Sequence, residues 1–539
     1  MAWQRHGMAA LAVVFSGSVL AGSADAGDAV TRNLDTYVGN ANRMYNQEAV
    51  VPPQCYTRHE AKYNPCYTCH QSYPDQPDRP NYMSDQVLQS EYQFSAMGET
   101  NHWKNLFIDR SGAVAEISNA EIRAYIAQNN YAGLAARLRG RGYDGYIPEL
   151  KNLDAGAAAF DESGFAKDGS GWVAFNYKPL PSTFWPTNGS TDDVMIRLPA
   201  KFRQTADGRR TRDVYMANLA IAEMAIKDMA AISLPEIDEA AVGRDLNGDG
   251  ARTRVTEIRR PEDYVGGASA VPVKTMRYPE GTEFLHTVRY IGVDGDEIHH
   301  ATRMKELRYM KKIRAYSLAQ LRSLYGNEHQ EKAEGNLPRY VAARGGLDNG
   351  MGWLVSGFIE NAQGELRPQT REETKFCMGC HGSIGSTLDQ TFAFPRKVTG
   401  AEGWGYIDTR GMADAPNVGG EQGEILSYLQ RVGGGSEFRA NPEMQERWFD
   451  AEGSVKVEKV RNADVHTLIT PSRERALRLN KAYRVIVREQ SFIYGRDATV
   501  KPAANVYRSV DPATAPTLPP DKVVSWDIRL DWGERGKAR

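Results

Sequence analysis

The sequence predicts a mainly α-helical chain with a mixed α+β middle region and loop-rich segments on either side of it. Ser118 and Glu121 form a capping-box pattern ahead of an amphipathic stretch, and residues 216–232 are apolar almost all round, which is typical of a buried helix. Residues 284–293 alternate between apolar and polar side chains, as a half-buried strand does. Frequent prolines between residues 28 and 110 exclude long helices there.

The length of the chain predicts several domains, because 539 residues exceed what one hydrophobic core usually holds. The 66 basic and 68 acidic side chains leave a net charge of -2, which gives no indication of a nucleic-acid partner. We predict a signal peptide over 1–26, two loop-rich domains over 27–142 and 346–497, an α+β domain over 143–345, and an extended C-terminal strap over 498–539.

The first 26 residues have the pattern of a cleavable signal peptide. A short polar start with Arg5 precedes an apolar run, and small residues end at Ala24-Asp25-Ala26. The apolar run is shorter than the ~20 residues that a spanning helix needs, which argues against the alternative of a membrane anchor. No later segment approaches 18 consecutive apolar residues, so we expect no membrane span in the mature chain. Gly22 and Ser23 follow the run in place of a cysteine, so no lipid anchor is predicted either. The sequence therefore predicts a periplasmic protein.

Four of the five cysteines lie in two copies of the pattern C-x-x-C-H. In this pattern the two thiols bond to the vinyl groups of one haem and the histidine ligates its iron. A redox-active cysteine pair would not require the following histidine twice, and a structural zinc site would have two such pairs at closer spacing. We therefore predict two covalently bound haem c groups, with His70 and His381 as proximal iron ligands, at Cys66, Cys69 and His70 and at Cys377, Cys380 and His381. We interpret the fifth cysteine, Cys55, as a buried thiol, with a degenerate haem site as the alternative.

The ligand on the far side of each iron decides between electron transfer and binding of oxygen or peroxide. For the first haem we expect His102, with Met97 as the alternative. For the second haem we expect Met412, and three other candidates remain open: His286, His300 and Met444.

A calcium loop is a further prediction for the middle region. Asp245, Asn247 and Asp249 have the spacing of the first oxygen ligands in an EF-hand-type loop. Thr256 stands where such a loop has its bidentate glutamate, and Glu257 follows one position late. A surface Asx turn is the alternative interpretation.

Charge and apolar patterns predict four more helices, over 301–325, 424–432, 442–450 and 471–487, with Asn441 and Thr470 as N-caps of the last two. The first of these helices carries a basic cluster, namely Arg303, Lys305, Arg308, Lys311, Lys312 and Arg314. We interpret the cluster as a solvated helix face, with a contact to haem propionates or to an acidic redox partner as the alternative.

In its two motifs and its signal peptide the chain resembles di-haem c-type cytochromes. The resemblance implies loop-rich haem-binding domains of the cytochrome c type, electron transfer as the function and a redox partner protein. Some members of that class, such as the di-haem peroxidases, use one haem for catalysis, so a di-haem oxidoreductase with one open iron is the alternative. A haem-based sensor is a third possibility. The motifs here lie 311 positions apart, farther than is usual in those peroxidases.

Overall fold

The computed structural model describes residues 50–58, 66–73, 76, 78–82, 90–181, 191–333, 340–382, 384–432, 441–520, 523 and 527–533. The predicted signal peptide lies outside these residues.

An antiparallel sheet of eight strands organises the described part of the chain, and its strand order is β1-β2-β5-β6-β9-β8-β7, with β10 paired to β9. The remaining strands form two ribbons, β3 with β4 and β11 with β12. The strands are β1 Val173–Ala174, β2 Thr191–Arg197, β3 Ala231–Asp238, β4 Arg254–Arg259, β5 Glu283–Asp294, β6 Glu297–Lys312, β7 Val341–Ala343, β8 Gly346–Asp348, β9 Trp353–Glu360, β10 Leu366–Pro368, β11 Asn417–Val418 and β12 Asp527–Leu530.

Helices of varied length surround the sheet. In chain order they are α1 Ser111–Glu116, α2 Asn119–Ile126, α3 Leu134–Gly140, α4 Arg212–Lys227, α5 Glu239–Val242, α6 Leu318–Ala333, α7 Arg371–His381, α8 Ala393–Arg396, α9 Glu424–Val432, α10 Pro442–Trp448, α11 Val457–Arg461, α12 Val465–Ile469 and α13 Arg473–Glu489. Short 3-10 turns lie at Pro53–Tyr56, Cys66–Thr68, Lys104–Phe107, Leu153–Ala159, Ala200–Arg203, Gly266–Ala268, Ala401–Gly403 and Phe492–Tyr494.

The sheet corrects the predicted fold class. The chain has a mixed α/β fold and is not a mainly α-helical protein of the cytochrome c type. The strand predicted over 284–293 is confirmed as β5, and the hairpin that joins β5 to β6 turns at Gly295. The helix predicted over 301–325 is wrong, because residues 297–312 form β6 and the helix that follows begins only at Leu318.

The charged side chains of β6 explain that error. The guanidinium of Arg303 lies 2.9 Å from the carboxylate of Glu360, and both side chains are at most 5% exposed. The ammonium of Lys305 lies over two tyrosine rings, 5.2 Å from the centroid of Tyr290 and 4.6 Å from that of Tyr483. Arg303, Lys305 and Lys312 of the predicted basic cluster are therefore buried, whereas Lys311 and Arg314 are exposed, and the cluster is not a solvated helix face.

The most buried of the described helices is α4, which begins after the N-cap Thr211 and ends at Lys227, before the C-cap Asp228, whose φ is 54°. It confirms the predicted apolar helix in part, but residues 231 and 232 already belong to β3. Together with α4, the largest apolar cluster contains Val50, Met378 and Ile528. Residues from each end of the described chain thus pack into one core, and the predicted domain boundaries stay a prediction.

The helix caps near the end of the chain follow the sequence signals closely. The bounds of α9 are those predicted, and α10 begins at Pro442 after the predicted cap Asn441. The last helix begins two residues later than predicted, because the side chain of Ser472 accepts the backbone N–H of Arg475 and replaces Thr470 as the cap.

Candidate functional site

The second C-x-x-C-H motif forms the last turns of α7, and this helix is firmly anchored at its other end. Thr370 and Glu373 make a complete capping box, in which each side chain accepts the backbone N–H of the other residue. Arg367 then donates to both carboxylate oxygens of Glu373, at 2.8 and 2.9 Å. The fixed N-terminus sets the direction in which the helix presents Cys377, Cys380 and His381.

His381 has the orientation of a metal-ligating histidine. Its Nδ1 lies 2.8 Å from the carbonyl oxygen of Gln390, to which the neutral ring donates. Burial lowers the pKa of His381 to about 4, so the ring is uncharged at neutral pH. A neutral imidazole that donates from Nδ1 has its lone pair on Nε2, and a carbonyl at Nδ1 is the usual second partner of a ligating histidine.

A cavity opens beside this end of α7, and its empty volume, with its mouth included, is about 1090 Å³. One wall consists of the motif residues Cys377, Cys380 and His381. The facing wall is one side of the central sheet, and it is lined by Asp192 and Val194 of β2, Phe284 and His286 of β5, Arg308 and Met310 of β6, and Val355 of β9. These residues share a face because side chains two apart on a strand point the same way.

The charges in the cavity wall are paired. Arg308 donates to Glu306 at 3.0 Å, and Arg496 donates to the same carboxylate at 2.7 Å. Burial alone would raise the pKa of Glu306, but the two guanidinium groups lower it to about 2. On another side, Arg396 makes two hydrogen bonds to Glu424, at 2.8 and 2.5 Å. The rest of the lining is mostly aromatic and aliphatic, as in small-molecule and cofactor sites.

The first motif begins with a single 3-10 turn, Cys66–Thr68, in which the N–H of His70 donates to the carbonyl of Cys66 at 2.8 Å. Tyr67 is fully buried, and burial is the main reason that its pKa is raised. It packs in an apolar cluster with Met412 and Leu429. The motif is therefore held by the side chain between its two cysteines.

The two motifs meet in space. The backbone N–H of Ser386 donates to the carbonyl of Cys69 at 3.1 Å. A side chain at Gly385 would place its Cβ 1.9 Å from the carbonyl oxygen of Gln71, so the two segments touch backbone to backbone. Burial raises the pKa of Cys69, and the neighbouring sulfurs of Cys380 and Cys55 raise it further. The sequence predicted two separate haem domains and carries no local signal for this convergence.

The thiol pKa values argue against a redox-active cysteine pair. Burial, with a smaller contribution from Cys377, raises the pKa of Cys380 to about 12. Catalytic C-x-x-C pairs have a lowered thiol pKa, because the thiolate is the reactive form.

The two predicted distal ligands are not among the residues that line the cavity. Met412 is buried in the cluster that contains Tyr67 of the first motif. His102 precedes Trp103, whose ring packs edge-on against Phe376 with the centroids 5.6 Å apart, directly before the second motif. Neither Met412 nor His102 lines the cavity beside Cys377 and Cys380, and both assignments stay predictions.

Of the three other candidates for the distal ligand of the second haem, one lines the cavity and two do not. His286 lines the cavity, whereas Met444 is buried in the cluster of Met412 and Tyr67. His300 lies against Tyr406, with Nδ1 3.5 Å from the phenol oxygen, and burial lowers its pKa to about 4.

The predicted calcium loop is an exposed turn whose oxygens accept backbone N–H groups. The carboxylate of Asp245 accepts from Gly248 at 2.7 Å and from Gly250 at 2.9 Å, as in an Asx turn. The equivalent bonds run from Asp249 N–H to Asn247 Oδ1 and from Ala251 N–H to Asp249 Oδ1. The buried carboxylate of Glu239, which the sequence did not predict as part of the loop, accepts the N–H groups of Leu246 and Asn247 and closes the loop.

In the described ranges no three or more His, Cys, Asp or Glu side chains are grouped so that they could hold a metal ion. No such group therefore supports the prediction of a metal-binding protein. Calcium at the loop of Asp245, Asn247 and Asp249 stays a prediction. Across the same ranges, no helix is both long and apolar enough to cross a membrane.

Comparisons with known proteins identify a different family from the one that the motifs resembled. A family model described as a lipoprotein family matches residues 40–467. An uncharacterized lipoprotein of Aquifex aeolicus (strain VF5) is 33% identical over 523 residues, which covers 86% of this chain and 87% of that protein. No solved structure matches.

The assignment to the di-haem c-type cytochromes is therefore wrong, because both matches are to lipoproteins and neither supports a cytochrome, haem or oxidoreductase label. The expectation that no lipid anchor is present concerns residues outside the described ranges. Lipoproteins are exported proteins, so the family match agrees with the predicted export. The chain belongs to this lipoprotein family and is an exported protein.

Proposed function

We propose that this lipoprotein-family chain carries two covalently attached haem groups at its C-x-x-C-H motifs and transfers electrons in the periplasm. The observation that carries the proposal is the meeting of two copies of one five-residue pattern whose histidines are 311 positions apart in the sequence. When bound, haem supplies a one-electron redox centre at each motif.

The second motif fits a covalently attached haem. Cys377 and Cys380 are three residues apart on one helix and line the same cavity as His381, so a single planar ligand can reach both sulfurs and the imidazole. Phe175, Phe284 and Phe392 provide an apolar lining for such a ligand. The carbonyl of Gln390 holds the His381 ring so that Nε2 serves as the iron ligand.

The contact between the motifs supports electron transfer as the function. The backbone hydrogen bond between Ser386 and Cys69 and the proximity of Cys69 to Cys380 bring the two attachment sites side by side. Electrons can then pass between two neighbouring centres and on to a redox partner protein, and this needs no catalytic acid or base.

The test is haem staining of a denaturing gel, which detects only covalently held haem. The protein is produced in a host that attaches haem to exported proteins, alongside a Cys66→Ala/Cys69→Ala variant and a Cys377→Ala/Cys380→Ala variant. Each variant should lose about half of the stain per chain, because one of two sites is removed. Cys55→Ala is the matched control, since Cys55 lies beside Cys69 but outside both motifs, and it should stain like the unaltered protein.

Absence of stain from the unaltered protein would overturn the proposal. Electron transfer is tested separately by a reductive titration of the native, haem-containing protein in solution. It should take up two electrons per chain and release them to an added oxidant. A haem-containing protein whose spectrum does not respond to reductant would contradict electron transfer while leaving haem attachment intact.

A further inference from the structure

The sheet wall of the cavity carries a second histidine, His286 on β5. In the sheet register it lies between Val194 of β2 and Arg308 of β6, and all three side chains line the cavity. His381 lines the same cavity from α7. The cavity therefore has one imidazole on its helix wall and one on its sheet wall.

The two histidines are held by the same kind of bond. Nδ1 of His286 lies 2.9 Å from the carbonyl oxygen of Asp193, as Nδ1 of His381 lies 2.8 Å from that of Gln390. In each ring the backbone carbonyl occupies Nδ1, so Nε2 is the nitrogen that would ligate a metal. Nε2 of His286 lies 3.4 Å from Oδ2 of Asp192, which is itself a cavity-lining residue.

The surroundings of His286 fix its position. Strand β5 is paired on both sides, with β2 and with β6, so its backbone has little freedom to move. Tyr177 donates to the carboxylate of Asp192 at 2.5 Å and orients the group beside the His286 ring.

We propose that His286 is the second axial ligand of the iron held at Cys377, Cys380 and His381, which makes this centre six-coordinate, low-spin and bis-histidine. The inference rests on the proposed function, because it requires haem at the second motif. It replaces Met412, His300 and Met444 as candidates for this iron, since none of them lines the cavity. With both axial positions held by protein, this centre is built for electron transfer and not for binding of oxygen or peroxide.

The test compares His286→Ala with His299→Ala, a change to another histidine on the same β5–β6 hairpin that lies outside the cavity. The readouts are haem stain, the visible and EPR spectra, and carbon monoxide binding after reduction. In His286→Ala, one of the two haems per chain should become high-spin and bind carbon monoxide, while haem stain stays at the unaltered level. Added imidazole should restore the low-spin spectrum, and His299→Ala should leave every readout unchanged.

A second variant guards against misfolding of the alanine variant. His286→Met keeps a side chain that can ligate iron, so it should remain low-spin but acquire the absorption of a sulfur-ligated haem and a higher reduction potential. Spectra of His286→Ala and His286→Met that are both identical to those of the unaltered protein would overturn the inference. That outcome differs from failure of the proposed function, in which the unaltered protein carries no haem stain.

Discussion

Gly379, between the two cysteines of the second motif, provides a sharp test of how the chain ahead of the first motif packs against α7. An alanine Cβ at this position would lie 2.5 Å from the carbonyl oxygen of Val50 and 2.6 Å from Cδ of Pro52. Neither atom belongs to the end of a flexible side chain, so the clash can be relieved only by movement of the backbone or of a rigid ring. Gly379→Ala should therefore push residues 50–52 away from α7.

The expected magnitude follows from two opposed effects. Alanine in place of glycine within a helix stabilises by about 1 kcal/mol, whereas an extra methyl group in a packed contact costs about 1–3 kcal/mol. Gly326 in α6 is the matched control, because an added Cβ there meets no atom within 4 Å. The gain in helix stability is common to both variants. The free energy of unfolding of Gly379→Ala should therefore be about 1–3 kcal/mol lower than that of Gly326→Ala.

Urea unfolding of the two variants, followed by circular dichroism and compared at equal haem content, measures that difference. If Gly379→Ala proves as stable as Gly326→Ala, the packing of residues 50–52 on the second motif is refuted.

Three other predictions concern stability. Thr370→Ala removes the cap of α7 and should cost about 1 kcal/mol in urea unfolding, with no loss if the capping box is wrong. The Asp527 carboxylate, although burial opposes ionisation, has its pKa lowered to about 2 by Arg79 and Arg529. Its contribution of roughly 2 kcal/mol is present above its unfolded pKa and lost as pH falls toward 2, so Asp527→Asn should destabilise at pH 7 but not at pH 2. Leu219→Ala in the fully buried part of α4 should cost about 2–5 kcal/mol by calorimetry, and a cost below ~1 kcal/mol would contradict its burial.

Local signals in the sequence predicted local structure well. The C-x-x-C-H spacing, the proline and asparagine at the start of α10 and the alternation along β5 each depend on neighbouring residues only, and the structure contains the corresponding elements. These signals also indicated which side chains could carry chemistry.

Features that depend on distant partners could not be predicted in the same way. Strand β6 has the charge density of an exposed helix, and only Glu360 and the tyrosine rings, which come from other elements, explain its burial. The role that we infer for His286 follows from the register of β5 with β2 and β6, which no single segment encodes. The meeting of the two motifs likewise depends on contacts across 311 positions.

The proposal of covalent haem at both motifs is tested most directly by the intact mass of the denatured, exported protein. Two attached haems require a mass equal to that of the mature polypeptide plus two haem groups, and plus one group when either motif has lost both cysteines. A mass equal to that of the polypeptide alone, from a host that loads haem onto other exported proteins, would contradict it.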